Sequence, residues 1–123
     1  MASYVLVNDV SVLSEDVETL SAEDVAKLLS IPASRVHQLV RDGQLLSFRR
    51  DKDLVVPADF FDGEEVVKGL SGTIVLLRDG GYTDVEILRW LYAHDESLPG
   101  RPVDSLKAGR HREVKRRAQA MAF

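Results

Sequence analysis

Apolar positions along this chain change their spacing several times, and each change marks a structural boundary. Tyr4-Val5-Leu6-Val7 is a short apolar stretch followed by Asp9, Glu15, Asp16 and Glu18, so residues 1–18 read as an acidic tail or a short strand. From Thr19 the spacing becomes helical. Ser21 is a good N-cap with Asp24 three residues on, and Val25, Ala26, Leu28 and Leu29 recur on one face, which predicts a helix over about 22–29. Ser30-Ile31-Pro32 breaks it. Pro32 is suited to open a second helix, where its missing N–H costs nothing; Val36, Leu39 and Val40 give that helix its apolar face, and Gly43 ends it.

Beyond Gly43 the pattern predicts a β-hairpin, with strands at Leu45-Leu46-Ser47-Phe48-Arg49 and Leu54-Val55-Val56 and the turn Arg50-Asp51-Lys52-Asp53 between them. Pro57 ends the second strand, Ala58-Asp59-Phe60-Phe61 starts a packing turn, and Asp62-Gly63 closes the module. The rest reads as helical. Val66, Val67, Leu70, Ile74, Val75 and Leu77 predict a helix over about 64–78, weakened by Gly69 and Gly72 at about 1 kcal/mol each. After the turn Asp79-Gly80-Gly81, Thr83 caps a helix that packs Val85, Ile87, Leu88, Trp90 and Leu91 inward and ends near His94. Leu98-Pro99-Gly100-Arg101-Pro102 is a loop. A final helix or pair of helices runs from about Val103, interrupted at Gly109, to the C-terminus. The expected fold is therefore mainly α with a small β-hairpin wing: a winged helix-turn-helix at 19–62 followed by a helical C-terminal domain at 63–123.

Composition narrows the function classes. At 123 residues the chain has room for one compact domain or two small lobes. No run approaches the roughly 18 to 20 apolar residues of a membrane-spanning helix. Met1 to Asp9 carry no basic residue and no long apolar run, unlike a secretory signal, so the expected location is the cytoplasm, in association with the nucleoid. The chain has no cysteine, which removes disulfides, thiol catalysis and thiolate zinc sites. Catalysis, a metal site and a cofactor are not expected. His94-Asp95-Glu96 and His111 lack the i, i+4 spacing of a helical zinc pair, Asp79-Gly80-Gly81 lacks the lysine and length of a phosphate loop, and no nucleophile motif is present.

The net charge of -4 speaks against a polyanionic partner until its distribution is considered. Residues 1–24 hold six acids and no Lys or Arg, and residues 53–100 hold ten acids against three bases. In residues 33–52, by contrast, Arg35, Arg41, Arg49, Arg50 and Lys52 outnumber Asp42 and Asp51. In residues 101–123, Arg101, Lys107, Arg110, Arg112, Lys115, Arg116 and Arg117 outnumber Asp104 and Glu113. Two basic islands are thus available to phosphate. The run from Arg110 to Arg117 is either a solvated helix face or a second phosphate contact.

Two short helices joined by a few residues, the second followed by a hairpin, make a unit that lays its second helix in the DNA major groove while the first braces it. Ala26 supplies the small residue needed at the helix crossing, with Val25, Leu29, Ile31, Val36 and Leu39 around it. The segment Leu20-Ser21-Ala22-Glu23-Asp24-Val25-Ala26-Lys27-Leu28-Leu29-Ser30-Ile31-Pro32, followed by Arg35-Val36-His37-Gln38-Leu39-Val40-Arg41-Asp42-Gly43-Gln44-Leu45, resembles the winged helix-turn-helix of MerR-like and excisionase-like DNA-binding proteins. Arg49-Arg50 and Val56-Pro57-Ala58-Asp59-Phe60 match the wing and the segment after it. More narrowly, the chain is similar to small actinobacterial regulators that join such a module to a short helical domain. It departs from the resemblance at Ser30, where many helix-turn-helix sequences have Gly.

The resemblance implies a sequence-specific regulator that binds double-stranded DNA, with Ser34, Arg35, His37, Gln38 and Arg41 on the outward face of the recognition helix and Arg49, Arg50 and Lys52 in the wing. The chemistry agrees: Gln can pair bidentately with adenine and Arg with guanine, and a wing Arg can follow the backbone or enter the minor groove. A homodimer would supply two half-sites. In the second half, Gly81-Tyr82-Thr83-Asp84, Trp90-Leu91, Leu98 to Leu106, Gly109 and Glu113-Val114 are similar to the toxin-binding domain of Xre/MbcA/ParS-type antitoxins. That resemblance implies the alternative of an antitoxin-like or adaptor protein that binds a protein partner through residues 64–123. Otherwise Trp90, Leu91 and Leu106 are core. Ser11, Ser14 and Thr19 precede the DNA-binding unit, where a phosphate would repel DNA.

Overall fold

A computed structural model describes residues 12–123. Ser11 and the apolar stretch from Tyr4 to Val7 lie outside the described residues. The described part begins with a packed segment whose Leu13 and Val17 are buried. It leads into β1 (Thr19–Ser21), a strand at the point where the spacing predicts the onset of helix. Helix α1 (Ala22–Leu29) follows at once, because the Ser21 hydroxyl accepts the Asp24 N–H at 3.0 Å and so satisfies one of the open donors of the first turn.

The turn between the first two helices is built on Ser30, at φ 58° and ψ 47°. That is the left-handed conformation for which glycine is the usual residue, so Ser30 takes the shape that its glycine counterparts take, at some cost in strain. Helix α2 (Ala33–Arg41) begins one residue beyond Pro32, which stands extended at the N-cap rather than inside the first turn. Val25, Ala26 and Val36 are buried where the helices cross, with Leu29, Ile31 and Leu39 packed at the edge of the core.

The hairpin is shorter and tighter than its hydrophobic pattern predicts. Strand β2 is Phe48–Arg50 and β3 is Asp53–Pro57, joined by the two residues Asp51 and Lys52, both at positive φ (52° and 75°). Two left-handed central residues give the turn whose twist suits a two-residue hairpin. Leu45 and Leu46 are not in the strand. A strand sends consecutive side chains to opposite faces, whereas both leucines are wholly buried. Strand β1 adds to the other edge of β3, with Leu20 opposite Val56, so the wing is an antiparallel sheet of order β1-β3-β2.

A 3-10 turn (Ala58–Phe60) and a small hairpin of β4 (Phe61–Asp62) and β5 (Glu65–Val66) replace the expected start of the next helix. Helix α3 therefore runs Leu70–Asp79, not from residue 64. The reason is Gly69, which sits at φ 91° as the N-cap, a conformation no helix interior accepts. Helix α4 (Asp84–Leu91) carries a full capping box between Thr83 and Glu86 and stops three residues short of His94. The final helices are two, α5 (Pro102–Lys107) and α6 (His111–Ala122), with Gly109 at φ 84° between them.

Helices α3 and α6 run parallel and very close. A Cβ at Gly69 would overlap the His111 Cβ, and one at Gly80 would lie 2.6 Å from the Ala122 Cβ. Ile74 and Leu77 meet Val114 and Ala118 in a core continuous with that of the first two helices. Asp95 fastens the loop before α5 onto α6. It accepts from the Ser97 hydroxyl (2.6 Å) and N–H (2.9 Å), the Trp90 indole (3.0 Å) and Arg117 (3.0 Å), and these donors hold its carboxyl well below the usual range.

The two glycines near the start of α3 have opposite roles. Gly72 lies in the helix facing open space, so Gly72→Ala should raise stability by about 0.5–1 kcal/mol. Gly69→Ala combines a positive φ with overlap and should cost about 2 kcal/mol or more. Denaturant unfolding of both variants measures the contrast; a Gly69→Ala protein as stable as the parent would refute the close packing of α3 on α6.

Candidate nucleic-acid interface

Helical periodicity turns Val36 into the core, and the same periodicity places Ser34, Arg35, His37, Gln38 and Arg41 together on the exposed side of α2. Within this face Arg35 donates to the Gln38 side-chain carbonyl at 2.8 Å, so the two present a joined planar surface of guanidinium and amide. Among the described residues Arg41 has no acidic partner. A helix face with donors for guanine and for adenine, and with no ion pair among the described residues to engage its arginines, has the chemistry of major-groove readout.

The wing residues divide. Arg49 is exposed and donates to the Lys52 carbonyl at 3.1 Å, which folds it back over the turn beside the exposed Lys52. Arg50, next along the same strand, points to the other face. Its guanidinium donates to the Val17 and Ser14 carbonyls, each at 2.8 Å, and lies 5.2 Å from the centre of the Phe48 ring. The structure thus brings Arg49 and Lys52 together at the tip of the wing, while Arg50 holds the segment before β1 against the sheet. Strand alternation at Arg49-Arg50 was the available signal that the two differ.

One residue that orders the candidate face was not visible from sequence. Arg78, near the end of α3, donates to the last carbonyls of α2, Val40 (2.9 Å) and Arg41 (3.1 Å), and forms a two-pronged ion pair with Asp84 (2.8 and 2.9 Å). A cation at a helix C-terminus meets the negative end of its dipole and fills carbonyls that have no partner within the helix. Gly43 permits the approach: it ends α2 at φ 79°, and a Cβ there would stand 3.0 Å from Val75 and 3.2 Å from the Arg78 guanidinium. The acceptors lie 37 and 38 residues upstream of Arg78, so no local pattern could reveal the contact.

A second link ties the end of the wing module to the C-terminal helices. Asp59 accepts from the Tyr92 hydroxyl at 3.0 Å and pairs with Lys107 at 2.7 Å. Burial, reinforced by the Asp59 charge, pushes the Tyr92 phenol above its ordinary value, so it remains a donor. Leu91 and Leu106 are buried and Trp90 is half-buried with its indole bonded to Asp95, which makes all three packing residues. Among the described residues no cluster of His, Asp and Glu is placed to hold a metal ion, and no helix is long and apolar enough to cross a membrane.

Comparison with known proteins covers both halves. Residues 7–61 match the family model described as DNA-binding protein Rv2175c, wHTH domain, and residues 67–122 match the Rv2175c C-terminal domain of unknown function. The DNA-binding protein Rv2175c of Mycobacterium tuberculosis (strain ATCC 25618 / H37Rv) is 45% identical over 125 residues, a span of 91% of this chain and 86% of that protein. The NMR structure of Rv2175c superposes with a TM-score of 0.84 at 44% identity, over 93% of this chain and 87% of that one. The winged helix-turn-helix resemblance is upheld in its general form, as the Rv2175c-family winged helix-turn-helix joined to its C-terminal domain.

Replacing Arg78 tests the coupling between α3 and the exposed face of α2. Arg78→Ala should cost about 2–3 kcal/mol, the worth of charged hydrogen bonds in a half-exposed setting, and should speed amide exchange around residues 40–44. Arg78→Lys should recover only part, because an ammonium lacks the fork that serves two carbonyls and a carboxylate at once. Exchange rates near Gly43 equal to those of the parent would show that the clamp does not order the helix.

Proposed function

Because the chain belongs to the Rv2175c family of DNA-binding proteins, with its winged helix-turn-helix and C-terminal domain both matched, we propose that it binds double-stranded DNA in a sequence-specific way and acts as a transcription regulator. In this reading α2 enters the major groove. Arg35, Gln38 and Arg41 face base edges, Ser34 and His37 flank them, and Arg49 and Lys52 follow the backbone or enter the minor groove. Arg50 is left out of the contact set, since its guanidinium is engaged by Ser14 and Val17. The observation that carries the reading is the exposed face of α2, where five polar or basic side chains stand opposite buried Val36 in a chain whose net charge is negative.

A single module of this kind covers on the order of 600–1,000 Å² of its own surface on DNA, so two copies on half-sites one helical turn apart would multiply specificity. The test is the double variant Arg41→Ala with Arg49→Ala, measured by fluorescence anisotropy against duplexes selected from a random pool. Loss of one base contact and one phosphate contact should weaken binding by about tenfold or more at moderate salt. Affinity equal to the parent's would overturn the assignment of α2 and the wing.

A further inference from the structure

Helix α6 carries a second basic face that the recognition module does not use. Arg112, Lys115, Arg116 and Gln119 recur at i, i+3, i+4 and i+7, so they share one side of the helix, opposite the buried Val114 and Ala118. All four are exposed. Arg117, one position off the stripe, is turned to Asp95, but Arg112, Lys115 and Arg116 have no carboxylate or carbonyl partner among the described residues. Several cations elsewhere are engaged internally: Arg78, Arg101 and Lys107 are ion-paired, and Arg50 and Arg89 donate to backbone carbonyls.

The placement of these charges also runs against what would stabilise the helix. Helices α1 to α5 each end with a base in the last turn (Lys27, Arg41, Arg78, Arg89 and Lys107), in keeping with the negative end of the dipole. Helix α6 alone has none there, and its start, the positive end, is crowded with Arg110, exposed at the N-cap, and Arg112 in the first turn. Arg112 and Arg116 are moreover like charges at i, i+4, a destabilising pair. Glu113 is the one acid on the helix; it stands in the first turn, where it suits the dipole, but forms no ion pair with the stripe among the described residues. Unpaired charges set where folding disfavours them point outward, to an anionic partner.

We propose that the Arg112–Lys115–Arg116 face of α6 is a second contact for the phosphate backbone of duplex DNA, carried by the C-terminal domain and independent of base sequence. The inference rests on the assignment of the protein as a duplex-DNA binder. It assigns α6 a share of affinity and of salt dependence, and leaves base discrimination to α2.

Full-length protein binding to labelled duplexes, followed between about 0.05 and 0.2 M salt, reads the contribution directly, because each phosphate contact adds about 0.9 to the slope of log K against log salt. The triple variant Arg112→Gln, Lys115→Gln, Arg116→Gln, all at exposed positions, should lower that slope by about 2 to 3 and weaken every duplex alike by about tenfold or more, with the ranking of sequences preserved. Gln119→Lys, on the same stripe, should steepen the slope by about one contact. Unchanged slopes in both variants overturn the proposal. If the triple variant keeps full binding while Arg41→Ala with Arg49→Ala loses it, only the α6 contact falls. The opposite pattern upholds α6 and removes the recognition role of α2, and a parent protein that binds no duplex at all overturns both.

Discussion

The guanidinium of Arg78 is the point on which the two halves of this protein turn. It fills the carbonyls at the end of α2 and at the same time answers the carboxylate of Asp84 at the start of α4. The Val40 carbonyl also accepts the Gly43 N–H at 3.1 Å, so the guanidinium adds a charged donor to a helix end that the turn has only partly satisfied. Gly43 is tied to the same requirement, since a side chain at that position would displace Val75 and Arg78. A helix-turn-helix is small and its second helix short, so anchoring the exit of α2 from outside sets the angle at which its polar face is presented. The C-terminal domain is thereby a structural support of the candidate DNA-binding face as well as an appendage to it.

That dependence extends through α3 to α6. The glycines at either end of α3 let two parallel helices approach until backbone lies near side-chain β-carbons, and such close-packed contacts transmit displacement rather than absorb it. Asp59, bonded to Tyr92 and Lys107, adds a second fastening on the far side of the wing. The continuous core from Leu13 to Ala118 agrees with this geometry, since residues of both halves share one buried cluster.

Much of this was legible in the chain, and the failures have physical causes. The two helices of the first module, the N-caps at Ser21 and Thr83, the stop at Gly43 and the break at Gly109 arise from local chemistry and stand where that chemistry predicts them. The wing turn is tighter than its sequence suggests because Asp51 and Lys52 take left-handed conformations without the Asn-Gly pair that normally announces them. Leu45 and Leu46 look like a strand because apolar runs do not reveal whether alternate or consecutive residues are buried. Strand β1 leaves no signal, since a three-residue edge strand has too few positions to show a period. Strand alternation separates Arg50 from Arg49, but the partners that engage Arg50 lie 33 to 36 residues away, and those of Arg78 are equally remote. Contacts of that range leave no mark on local sequence.

The distribution of charge joins these threads. A protein with net charge -4 is repelled by DNA at long range, so any attraction must come from local fields within a screening length of about 8–10 Å. Local fields survive only where cations are not neutralised by neighbours, and the fold decides which those are. By pairing Arg78, Arg101, Lys107 and Arg117 with its own carboxylates, it offsets their charge at the surface. Among the described residues the outward side of α2, the tip of the wing and the stripe on α6 carry cations outside any ion pair, as do Lys27, Lys68 and Arg110. Like charge on the acidic remainder disfavours association of those surfaces with a polyanion, which is the physical basis for seeking the contact where cations stand outside ion pairs.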